Sequence, residues 1–139
     1  MAKRARKDEP ARALATAAAQ IAHDDHCQDV VVLDLRGVSP VTDYFVIATG
    51  TSGRQMRTVA EDISRHGKNV GQKPWHISGL EGGQWILLDF VDVVVHLFDP
   101  DRRRYYDLEL LWGEVPRVEW AERKRTRRKK TEDEPAKRN

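Results

Sequence analysis

Apolar residues fall into short blocks separated by glycine, proline and charged breaks, and each block carries its own period. Leu14, Ala17, Ala18 and Ile21 recur at i, i+3, i+4 and i+7, which predicts an amphipathic helix over roughly residues 10–25. Asp29 to Leu35 (DVVVLDL) is β-branched and almost wholly apolar, the composition of a strand covered on both faces. Gly37, Ser39 and Pro40 end that strand, and Tyr44 to Thr49 (YFVIAT) repeats its pattern. Gly50-Thr51-Ser52-Gly53 then leads into a second helix. Ser52 is its predicted N-cap, Gln55 completes a capping box, and Met56, Val59, Ala60 and Ile63 form its buried stripe up to Gly67. Trp75 to Ser78 reads as a short strand. Trp85 to Asp89 (WILLD) and Val93 to Phe98 (VVVHLF) read as strong strands, close enough to form a hairpin. Asp99-Pro100 opens a last short helix through Leu108, Leu111 and Trp112, ending at Gly113. The predicted fold class is α/β: a single domain over residues 10–113, with a five-stranded mixed sheet flanked by helices.

Charge divides the chain in the same places. Residues 1–12 carry a net +3, residues 13–113 carry nine basic and fourteen acidic residues for −5, and residues 114–139 carry +4. An acidic body repels phosphate and suits a basic protein surface instead. Residues 1–9 read as a basic disordered arm and 114–139 as a basic disordered tail, in which Arg123 to Lys130 holds seven basic residues in eight. Deleting Val115 to Asn139 is therefore expected to leave the fold intact. Either arm could contact rRNA. The single cysteine, Cys27, excludes an internal disulfide or a multi-cysteine zinc site. No apolar run approaches the roughly 18 residues of a membrane span, so a soluble, cytoplasmic protein without membrane contact is expected.

Candidate chemistry is sparse. The Gly50–Gly53 turn could hold a phosphate on backbone N–H groups, but it lacks the lysine of a P-loop and the third glycine of a dinucleotide fingerprint. The alternative to a binding protein is a nucleotide-dependent transferase using this turn with Asp89 and Asp92. Against it, the nearest carboxylate pair, Glu61-Asp62, is adjacent on a helix and points two ways. A third reading is an RNA-binding adaptor working through the arms. His23, His26 and Cys27 could meet one metal, yet a polar helix end explains them as well. His96 interrupts an apolar strand, the usual setting of a hydrogen-bonded structural histidine, and Asp89 and Asp92 fit turn positions. No enzyme activity, cofactor or metal is expected. Trp75, Trp85, Phe90, Phe98, Tyr105, Tyr106 and Trp112 gather in the second half, too many rings for a small core to hide, and an exposed ring among acids suits a protein interface.

Three segments carry a family resemblance. Asp43 to Ser52 (DYFVIATGTS) resembles the strand-to-helix signature of the ribosomal silencing factor (RsfS/Iojap) family. Trp85 to Phe90 with Asp92 to Phe98 is similar to its hairpin, and Arg104 to Trp112 (RYYDLELLW) to its closing segment. The three occur in the family's order across roughly residues 10–113. The resemblance implies a nucleotidyltransferase-like fold without a catalytic role. It also implies a translation repressor that binds the large ribosomal subunit through ribosomal protein L-fourteen and sterically blocks association with the small subunit. It places the partner contact at Trp85 and Phe90, and a monomer or weak homodimer is expected. One departure stands out: the family usually has glycine where Val91 stands, in the hairpin turn.

Overall fold

The computed structural model describes residues 2–105 and 114–121, with side chains from residue 9 onward within those spans. Helix α1 runs Ala2–Asp24 and leads into strand β1, Gln28–Asp34. Strand β2 is Tyr44–Thr49, helix α2 is Gly53–Asn69, and strand β3 is His76–Ser78. Strands β4, Trp85–Asp89, and β5, Val93–Phe98, precede the short helix α3, Pro100–Tyr105. The five strands form one mixed sheet in the order β1-β2-β5-β4-β3. Its one parallel pair, β2 with β5, sits at the centre, and the other pairs are antiparallel. The predicted hairpin is present, with Trp85 opposite Phe98 and Asp89 opposite Val94.

Alternation along the strands sorts the sheet into two faces. Val32, Val46, Ala48, Ile86, Leu88, Val95 and Leu97 join one buried cluster with α1 and α2. On α1 the buried positions are Ala11, Leu14, Ala15, Ala18, Ala19 and Ala22, while Ala17 and Ile21 lie at its margin. Alanine removes bulk at these positions, so the helix backbone can lie close against the strands. On α2 the buried stripe is the one the sequence marks, from Met56 to Ile63. The second face buries Leu33, Leu35, Ile47 and Phe98, with Val31, Phe45, Trp85 and Val115 packed against them.

Two boundaries differ from the sequence reading. Helix α1 begins at Ala2, through the stretch read as an arm and past Pro10, whose missing N–H breaks one rung of the helix without ending it. Beyond residue 113, the stretch read as tail packs onto β1. Asp34 N donates to Pro116 O at 2.8 Å, Val118 N donates to Val32 O at 2.9 Å, and Leu33 bridges Arg117. Val118 is only 7% exposed, and the Trp120 Nε1–H reaches Val30 O at 3.2 Å. Residues 106–113, including Tyr106, Leu108, Leu111 and Trp112, lie outside the described residues, as do 122–139.

Candidate functional site: the second face of the sheet

The hairpin sets the site's geometry. In β4, Ile86 and Leu88 point to the helices, so Trp85, Leu87 and Asp89 point to the second face. Trp85 is half-buried, its ring 4.9 Å from that of Phe98. Its Nε1–H donates to His96 Nδ1 at 3.2 Å. That bond fixes the tautomer: Nδ1 accepts, so the ring hydrogen sits on Nε2. Burial pushes His96 down to about 4, which keeps the ring neutral at ordinary cellular pH. His96 Nε2 is sealed from solvent and has no hydrogen-bond partner.

Phe90 takes the opposite place from the one the resemblance implies. It continues the inward alternation of Ile86 and Leu88, is 8% exposed, and joins the cluster beneath α2. Its ring lies so close to Gly67 that a Cβ there would meet Phe90 Cε1 at 2.8 Å. Phe90 is a core residue, and its assignment as a partner contact is corrected accordingly. The chain then reverses through Val91, with Phe90 N donating to Val93 O at 2.8 Å and Asp92 N donating to Phe90 O at 3.0 Å. Val91 adopts φ 77°, so the inner bond closes a γ-turn of the strained kind with a β-branched residue at its centre. Asp89 Oδ1 accepts from Val91 N at 2.8 Å and holds the turn. The Asp92 carbonyl accepts from Asp43 N and Tyr44 N. Both aspartates thus flank a working turn.

Beside the turn lies an open groove of about 510 Å³, mostly apolar, lined by Val41, Phe45, Trp75, Leu87, Val91 and Val94 together with Thr42 and His96. Val41, Trp75 and Val91 are 78%, 76% and 53% exposed. Trp75 stands just before β3, its N–H bonded to Asp89 O at 2.8 Å. The sequence marks Trp75 as the start of a short strand and as one ring of an aromatic cluster, without setting it apart from the others. Val41, an isolated valine after Pro40, carries no sequence signal.

The other candidates assemble no site. The Gly50–Gly53 turn is closed by its own capping box: Ser52 Oγ accepts from Gln55 N at 3.0 Å, and Gln55 Oε1 accepts from Thr51 N at 3.0 Å. The Gly50 N–H is bonded to Phe98 O at 2.7 Å. The N–H groups of Gly50, Thr51 and Gln55 are therefore occupied within the protein. Cys27 is buried and its thiol is pushed up to about 11, mainly by desolvation, which disfavours the thiolate a metal needs. Nearby, burial and then Asp62 push the Asp25 carboxyl up to about 6. Among the described residues no group of three or more His, Cys, Asp or Glu is placed to hold a metal ion. No described helix is long and apolar enough to cross a membrane.

The geometry defines an α/β protein with an open apolar groove and no assembled catalytic constellation among its described residues. The chain belongs to the ribosomal silencing factor family, whose model, described as "Ribosomal silencing factor during starvation", matches residues 8–139. It is 39% identical over 99 residues to the Ribosomal silencing factor RsfS of Bacillus subtilis, covering 71% of this chain and 84% of that one. It is 32% identical over 91 residues to the mouse protein named Mitochondrial assembly of ribosomal large subunit protein 1, covering 63% of this chain and 40% of that one. A crystal structure of a Chromobacterium violaceum protein superposes with a TM-score of 0.70 at 33% identity, covering 73% of this chain and 85% of that one. The family is ribosome-associated and translation-repressing, and it is not known as an enzyme.

Proposed function

We propose that this chain represses translation by occupancy. It binds the large ribosomal subunit through ribosomal protein L-fourteen and fills space the small subunit needs, so no bond is made or broken. The observation that carries this reading is the second face of the sheet, where half-buried Trp85 is hydrogen-bonded to His96, a residue lining an apolar groove, on an acidic body. A basic ribosomal protein complements both properties, since apolar contacts supply affinity while opposite charge steers encounter. The name of the mouse relative, which refers to the large ribosomal subunit, points to the same subunit. On this reading Trp85 is a partner contact, the basic arms add contacts to rRNA, and the chain acts in the cytoplasm as a monomer or weak homodimer.

The test is cosedimentation of the purified chain with separated ribosomal subunits, followed by mixing of the two subunits. The chain is expected to travel with large subunits, to be lost from large subunits lacking L-fourteen, and to lower the yield of joined ribosomes. Association with small subunits alone, or subunit joining unaffected by saturating protein, would refute it.

A further inference from the structure

The groove beside the hairpin turn holds two polar atoms that the protein leaves without partners. His96 Nε2 and Thr42 Oγ1 are both sealed from solvent and unpaired, and both residues line this groove. Burying a hydrogen-bonding atom unpaired forfeits its bond to water with nothing in return, so native interiors normally avoid it. Here the tautomer set by Trp85 makes His96 Nε2 a donor, and the Thr42 hydroxyl can donate or accept. Around them the groove exposes what a free surface normally covers: Val41, Trp75 and Val91. Val91 stands there at φ 77°, a conformation that a side chain branched at Cβ resists and that glycine would adopt freely. Strain, unpaired donors and exposed apolar surface thus coincide in one place.

We propose that this groove is an anchor socket, distinct from the Trp85 ring, that receives one large apolar side chain of a basic partner segment, and that its opening on binding lets a carbonyl or hydroxyl oxygen of that segment accept from His96 Nε2, which is closed to solvent in the free chain. The charge around the groove selects this occupant. Asp89 is the one carboxylate in the lining, His96 is neutral, and Asp43 and Asp92 are joined to each other by a backbone bond at the same end of the sheet. The chain's own basic tail is a poor occupant, because from Glu122 to Asn139 its only apolar residue is Ala136, besides Pro135. The inference rests on the reading that the chain docks on the large ribosomal subunit, and it adds where an anchoring side chain enters.

The experiment measures binding of the full chain to large ribosomal subunits and to purified L-fourteen. The variants are Val41→Asp and Trp75→Ala in the groove, with Val70→Ser, 50% exposed and outside the groove lining, as control. The groove variants are expected to melt like the parent and to bind about tenfold or more weakly, while Val70→Ser binds normally. In labelled protein the His96 Nε2–H resonance is expected to move downfield when L-fourteen binds. If the parent binds neither probe, the functional reading falls and this inference with it. If the parent binds and the groove variants bind equally well, only the socket is refuted. A parent dimer that Val41→Asp dissociates would assign the groove to a second copy and overturn the partner named here.

Discussion

Replacing Val91 with glycine is expected to stabilise the protein. Val91 sits at φ 77° in the γ-turn that joins β4 to β5, and a residue held in such a region costs of order 1–3 kcal/mol, with β-branching placing it toward the upper end. Two terms oppose the gain. Glycine adds freedom to the unfolded chain worth about 0.4–1 kcal/mol. The valine is 53% exposed, so removing it forfeits less than half of the roughly 1.5–3 kcal/mol that a fully buried side chain supplies. The balance is a gain of about 1 kcal/mol. For a chain of this size that raises the melting temperature by about 3–4 °C. Urea unfolding should show a higher midpoint with an unchanged slope, the mark of a stability change rather than a changed denatured state. Val91→Ala is the control: alanine sheds the β-branched part of the penalty, keeps the rest and loses the valine's contacts, so its midpoint should stay below that of the glycine variant. A Val91→Gly protein no more stable than the parent, or an alanine variant as stable as the glycine one, would show that the turn is unstrained.

Further expectations follow from other contacts. Trp85→Ala should cost about 2–3 kcal/mol of stability as well as binding, because the ring stacks on Phe98 and is half-buried, below the roughly 3–5 kcal/mol of a fully buried aromatic. Trp85→Phe keeps the packing and loses the bond to His96, so a loss near 1 kcal/mol is expected in chemical denaturation. Val118→Ala and Trp120→Ala should each lower the melting temperature, which a solvated tail would not permit. His96 titrates near 4 in the folded state and about 6.5 when unfolded. The unfolded chain therefore binds more protons across that window, and this group's contribution, roughly 3 kcal/mol, is lost as pH falls from about 6.5 to 4. Asp25 is raised, so its contribution runs the other way, and the loss is best read in Asp25→Asn by denaturation at several pH values. A flat profile in that variant would mean that His96 is not held neutral by burial.

The strands were legible because runs such as VVVHLF are β-branched, bounded by breakers and long enough to leave no competing helix. The capping box at Ser52 and Gln55 was legible for a similar reason: its chemistry is local, and three residues suffice to state it. Phe90 is an exception: alternation from Ile86 through Leu88 points residue 90 inward, while the likeness in hairpin sequence points it toward a partner, and the burial follows the alternation. Residues 114–121 were hidden for a different reason. Val118 and Trp120 stand singly among charges, and their pairing with β1 depends on backbone groups some 85–90 positions away in the chain, which no local window reveals. The groove was invisible too, because Val41, Trp75 and Val91 come from three separate connections that only the folded sheet brings together.

The stretch that lies along β1 bears on solubility. Without it, β1 would be the open edge of the sheet, a seven-residue strand containing Val30, Val31, Val32 and Leu33 in sequence. An unpaired β-branched edge of that length is a template for pairing with another chain. The opposite edge, β3, is only three residues long and offers little to pair with. Among the described residues the sheet therefore has one hazardous edge, and Pro116 to Val118 cover it, with proline itself unable to pass a ladder bond outward. A chain cut after residue 113 would be expected to self-associate through β1 before any question of ribosome binding arose, so its loss of function would report aggregation rather than a missing contact.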